Sequence, residues 1–81
     1  MLVINFASIS QDIHYSVLCK NTDIFVNIEL KLYNEYPKYR EQENYFTVNG
    51  IKINKYKSLE FNNIKDNDII LLLPVNSIYS N

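Results

Sequence analysis

Among the side chains of this sequence, His14 and Cys19 are the candidates for nucleophile-and-base chemistry. On a regular strand their positions have opposite parity, so they point to opposite faces and an imidazole at one cannot take the thiol proton of the other. Cys19 then reads as a small core residue and His14 as an exposed sheet residue. The Asp and Glu side chains show neither metal-ligand nor paired-acid spacing, so no enzyme activity, metal or cofactor is expected. Lys52, Lys55, Tyr56 and Lys57 form a basic-aromatic cluster able to touch phosphate and stack a base. Lysines in a loop are also accounted for by solvation alone. Leu71 and Leu73 are different, because an outward pair of leucines on a sheet strand offers a surface to a partner.

The elements that must position these residues are few. At 81 residues the chain is one domain, expected over 1–74 with a tail at 75–81, and a chain this small buries only ~60% of its unfolded surface. Eight basic and nine acidic side chains give a net charge of −1 and no electrostatic footprint for nucleic acid or an anionic membrane. One cysteine excludes an internal disulfide and a cysteine-based zinc site and fits a reducing compartment, cytoplasm or nucleus. The N-terminal apolar run lacks a basic segment before it, and the run Ile69 to Val75 contains Pro74, so neither reads as a signal peptide or a membrane span.

Thr22 to Pro37 has the length and period of a helix. Asn21-Thr22-Asp23 is a start signal, and Pro37 disfavours helical geometry at Tyr36. Ile24, Phe25, Ile28, Leu32 and Tyr36 fall within an arc of ~120°, the stripe that faces a core. Val26, Leu30 and Tyr33 form a second apolar stripe about 140° away. That stripe is expected either to offer a ridge for weak self-association or partner binding, or to be covered in part by the charged connection Lys38 to Asn44.

The remaining segments alternate with period two. Leu2 to Ile9 and Ile13 to Lys20 form an opening hairpin around a polar Ser10-Gln11-Asp12 turn. Tyr45 to Asn49, with Phe46 and Val48 inward, turns at Asn49-Gly50 into a short Ile51 to Ile53 return. Asn54 to Asp68 reads as a loop pinned by Leu59, Phe61 and Ile64. Ile69 to Leu73 is the last strand, apolar throughout as a central strand is.

In this order, from Leu2 to about Leu73, the chain resembles the ubiquitin-like β-grasp family. The resemblance is carried by the opening hairpin, the helix start Thr22-Asp23-Ile24 and the F-x-V-N-G turn at Phe46 to Gly50. Ser58-Leu59, Asn63-Ile64-Lys65 and the strand residues Ile70, Leu71 and Leu72 complete it. It implies an α+β fold, a mixed sheet of four to five strands on one helix with the first and last strands adjacent at the centre. Phe25, Ile28 and Leu32 would meet Ile4, Phe6, Tyr15, Val17, Phe46, Val48, Ile70 and Leu72. It also implies a partner-binding patch on the outer sheet face at Ile9, Thr47, Leu71 and Leu73, where Thr47 departs from the family's apolar pattern.

A larger departure is that Gly50 is the single glycine, so the sequence contains no Gly-Gly for activation and transfer, and Ile51 replaces the lysine after the turn. The expected function is therefore a non-conjugating ubiquitin-like module that binds another protein, or another domain of a longer chain, through the outer sheet face. The alternatives are a nucleic-acid-binding β-grasp domain using the Lys52 to Lys57 cluster, or a modifier whose Gly-Gly is missing from this chain.

Overall fold

A computed structural model describes residues 1–75 of the chain. Among them, five strands form one mixed sheet: β1 (Leu2–Ser8), β2 (His14–Cys19), β3 (Asn44–Val48), β4 (Ile51–Lys52) and β5 (Ile69–Pro74), in the order β2-β1-β5-β3-β4. β1 and β5 run parallel at the centre, and the other neighbours are antiparallel. One helix, α1 (Phe25–Glu35), packs on a single face of this sheet, and a 3₁₀ helix, Pro37–Glu41, follows it. This is the α+β, β-grasp arrangement.

The alternations set which face is which. Leu2, Ile4 and Phe6 of β1, Phe46 and Val48 of β3, and Ile70 and Leu72 of β5 are buried against Phe25, Ile28 and Leu32 of α1. The rings of Phe6, Phe25 and Phe46 meet at centroid separations of 5.1 to 6.0 Å. Tyr15 and Val17 pack at the margin of this core and Cys19 lies within it.

Several local expectations are corrected. The helix begins at Phe25, not Thr22, and no side chain caps it. The Asp23 carboxylate accepts the Lys20 N–H at 2.9 Å instead. The first free helix donors, Phe25 N–H and Val26 N–H, reach the carbonyls of Lys57 (3.0 Å) and Lys55 (2.9 Å), so the loop after β4 acts as the cap. In that loop Leu59 and Ile64 are buried, but Phe61 is 61% exposed and anchors nothing. Ile53 is buried instead. The Asn62 side chain holds the loop closed, accepting from Asn54 N–H and donating to the Asn54 and Ser58 carbonyls. The connection Lys38 to Asn44 is mostly the 3₁₀ helix, with Tyr39 turned into the core.

The Asn49-Gly50 turn has positive φ at both residues, 52° and 80°, as a two-residue hairpin of matching twist requires. A Cβ at Gly50 would meet open space, so the cost of adding one is conformational rather than steric. Gly50→Ala should lower stability by about 1 kcal/mol, read as a fall in the thermal midpoint. An unchanged midpoint would mean that the turn does not hold the left-handed conformation. β5 ends at Pro74, and Val75 N–H still pairs with the Glu43 carbonyl at 2.8 Å. The rest of the expected tail at 75–81 lies outside the described residues.

Candidate functional site

The outer face of the sheet, opposite α1, is built by the alternate residues of the same strands. Leu71 sits between Ala7 on β1 and Thr47 on β3, and Leu73 lies opposite Tyr45. Thr47 is in turn opposite Lys52, whose ammonium stands 5.4 Å from the Tyr45 ring centroid. Ala7, Tyr45, Thr47, Leu71 and Leu73 are all half-buried, sheltered by one another on a flat surface. Ile69, 63% exposed beside Asn5, extends the apolar strip along β5. The rim is polar. Ser16 Oγ donates to Asn5 Oδ1 at 2.6 Å, and Asn5 Nδ2 reaches the carbonyls of Asn67 and Asp68.

Three of the four expected patch residues, Thr47, Leu71 and Leu73, are therefore brought together. Ile9 is not part of the strand. β1 ends at Ser8, whose buried hydroxyl oxygen accepts from Asp12 N–H and Ile13 N–H and so starts the turn. Ile9 projects beyond it and lines a cleft of about 590 Å³ with Lys38, Tyr39, Gln42, Leu72 and Pro74. Ala7, Tyr45 and Ile69 belong to the face as well, beyond the expected patch, and each has the parity that its own strand's alternation gives to the outer side.

Of the two expectations for the second stripe on α1, cover by the connection after it holds for Tyr33, while Leu30 stays open. Leu30 is 53% exposed and Val26 is half-buried, but Tyr33 is buried at 8%. Its hydroxyl donates to Glu29 Oε2 at 2.6 Å and accepts from Asn44 Nδ2 at 2.9 Å. Lys55 Nζ meets the same carboxylate oxygen at 2.8 Å. Burial first, and then the bond to Glu29, push the Tyr33 phenol well above the usual tyrosine range. Asn44 also donates to the Tyr39 carbonyl, which ties the 3₁₀ helix to the start of β3 over this side of α1. No buried side-chain nitrogen or oxygen among the described residues lacks a partner.

The other reactive groups are kept apart. Cys19 Sγ is buried 3.7 Å from the Leu2 carbonyl, and burial, then the Asp23 charge, raise its thiol above the ordinary value. His14 is exposed and paired with Ala7 on the opposite face. Lys52, Lys55 and Tyr56 do line one cleft, of about 360 Å³, but Glu43 lines it too and the Lys55 ammonium is committed to Glu29. Lys57 lies over the exposed Phe61 ring at 5.3 Å. Among the described residues no group of three or more His, Cys, Asp or Glu side chains is arranged to hold a metal, and no helix is long and apolar enough to cross a membrane. In comparison with known proteins, no family model matches the chain and no curated protein matches it.

Proposed function

We propose that this chain is a non-conjugating, ubiquitin-like protein-interaction module of the cytoplasm or nucleus. Its outer sheet face receives another protein or another domain of a longer chain. The observation that carries this reading is the pair Leu71 and Leu73, large apolar side chains left only partly covered on a central strand, with Ala7 and Tyr45 extending the apolar surface around them and Thr47 as a polar interruption. Apolar groups so placed gain from a partner's cover without any rearrangement of the fold. The single glycine, Gly50, lies in the β3–β4 turn, so these residues carry no Gly-Gly to activate.

Leu71→Asp tests it. An interface anchor typically loses about 2 kcal/mol or more on truncation. A half-exposed strand position costs the fold about 1 kcal/mol or less. The variant should lose a partner that the wild type retains in a parallel affinity capture, with its thermal midpoint lowered by only a few degrees. Equal capture by both proteins would place the interface elsewhere.

A further inference from the structure

Gly50 is the single glycine of the chain, and it follows an asparagine. An Asn-Gly pair carries its own reaction: with no side chain on the second residue to obstruct the approach, the glycine's backbone nitrogen can attack the side-chain amide carbon of the asparagine. The structure leaves both reacting groups free. Val48 and Ile51 close the turn as paired residues, so the Gly50 N–H between them lies outside the ladder. Among the described residues neither that N–H nor the Asn49 side-chain amide has a hydrogen-bond partner. Both residues are exposed, and the space that a Gly50 Cβ would occupy is open.

Other asparagines are held back by the residue that follows them. Asn63 and Asn67 share the left-handed backbone of Asn49, with φ of 55° and 70° against 52°. In both, the next N–H is already bound, Ile64 to the Leu59 carbonyl at 3.0 Å and Asp68 to the Lys65 carbonyl at 3.1 Å. Asn62 is followed by an N–H donated to the Glu60 carbonyl at 3.0 Å, and its own amide is held by Asn54 and Ser58. The β3–β4 hairpin is also weakly held. β4 is two exposed residues at the margin of the sheet, paired with β3 alone, so the turn can leave its left-handed conformation at small cost to the core.

We propose that Asn49 is a site of self-modification, where the protein converts its own turn residue to aspartate and isoaspartate with water as co-reactant, the second product loosening β4. The Gly50 nitrogen gives its proton to hydroxide and bonds to Asn49 Cγ. The Cγ–Nδ2 bond then breaks and ammonia leaves, closing a succinimide ring. Water opens the ring at either carbonyl. Opening at Cγ gives aspartate, and opening at the main-chain carbonyl gives isoaspartate, in which the chain continues through Cβ and Cγ. Each event replaces a neutral amide with a carboxylate and so adds one negative charge to the net charge of −1. Asp-Gly still suits a two-residue turn. Isoaspartate lengthens the link and disturbs the register of Val48 with Ile51 and of Thr47 with Lys52. The reaction belongs to the turn alone and is independent of the binding proposed above.

The test is incubation of the 81-residue protein from neutral to mildly alkaline pH, followed by mass spectrometry and peptide mapping, beside an unfolded peptide of residues 45–52. Conversion should map to Asn49, run within about 10-fold of the peptide's rate because the hairpin opens locally, and rise in proportion to hydroxide. A protease that cuts before aspartate should cleave only part of the product at position 49, the uncut remainder being isoaspartate. Asn49→Gln, whose longer side chain must close a larger and slower ring, should show no conversion there over the same time, with circular dichroism checking its fold. The isoaspartate form, once separated, should melt below the wild type, and Asn49→Asp should melt close to it. A wild type that stays unconverted while the peptide reacts, conversion centred on Asn63 or Asn67, a product cut completely by the protease, or an isoaspartate form that melts with the wild type overturns the inference.

Discussion

Phe25→Ala should cost about 3–5 kcal/mol, the range for emptying a fully buried phenylalanine site. A domain of this length has only about 4–12 kcal/mol of stability to lose. Phe25 is fully buried at the first turn of α1, and its ring stands 5.1 Å from Phe46 and 6.0 Å from Phe6. Those rings come from β3 and β1, on either side of β5, so the cavity would open where helix and sheet meet. The loss should appear as a large drop in the urea midpoint with the slope of the transition preserved. A loss below about 1 kcal/mol would mean that α1 does not pack on the sheet through this residue.

Lys55→Ala is expected to cost about 2–4 kcal/mol, which is far more than an exposed lysine contributes. The Glu29 side chain is only 7% exposed and that of Lys55 25%, so removing the ammonium leaves a buried carboxylate with the Tyr33 hydroxyl as its remaining partner. Most of the penalty is the desolvation of an unpaired charge rather than the strength of the ion pair. It follows that the double variant Glu29→Leu/Lys55→Met should recover much of the stability lost by Lys55→Ala alone. Chemical denaturation of both variants decides this. A double variant less stable than Lys55→Ala would show that the pair contributes more by attraction than it costs by burial.

What the sequence disclosed follows from the range of the interactions concerned. Strand alternation is local: a period of two in Leu2–Ser8 and Asn44–Val48 marks the inward face before any neighbour is known, and with it the outward parity of Leu71, Leu73 and Thr47. The Asn49-Gly50 turn is equally local. The helix start is not legible locally because its donors are satisfied at a distance. Thr22 and Asp23 are ordinary capping residues, yet the carbonyls of Lys55 and Lys57 reach the helix first. The spacing of Val26, Leu30 and Tyr33 gives an apolar stripe turned from the sheet but does not decide between an open ridge and cover by the connection after α1. What buries Tyr33 comes from a distance: Asn44 meets its hydroxyl from the start of β3, and Glu29 beneath it is met by Lys55 from the loop after β4. Phe61 shows the converse, an aromatic residue whose apolar character earned it no place inside. Ile9 fell off the strand through a single hydroxyl, that of Ser8, which ends β1 by bonding ahead to Asp12 and Ile13.

The parallel pairing of β1 with β5 also governs the order in which the molecule can be assembled in time. Asn5 is matched with Ile69 and Ser8 with Leu72, so the middle of the sheet joins residues from opposite ends of the domain. On a ribosome the first hairpin and α1 are synthesised early, but their shared apolar face stays without its central strand while that strand is still inside the exit tunnel. Closing so long a loop is entropically slow compared with forming a hairpin. During that interval Phe6, Phe25 and Phe46 are open to water and to other nascent chains, and the emergence of β5 from the exit tunnel, rather than any local step, sets the moment at which the core can shut.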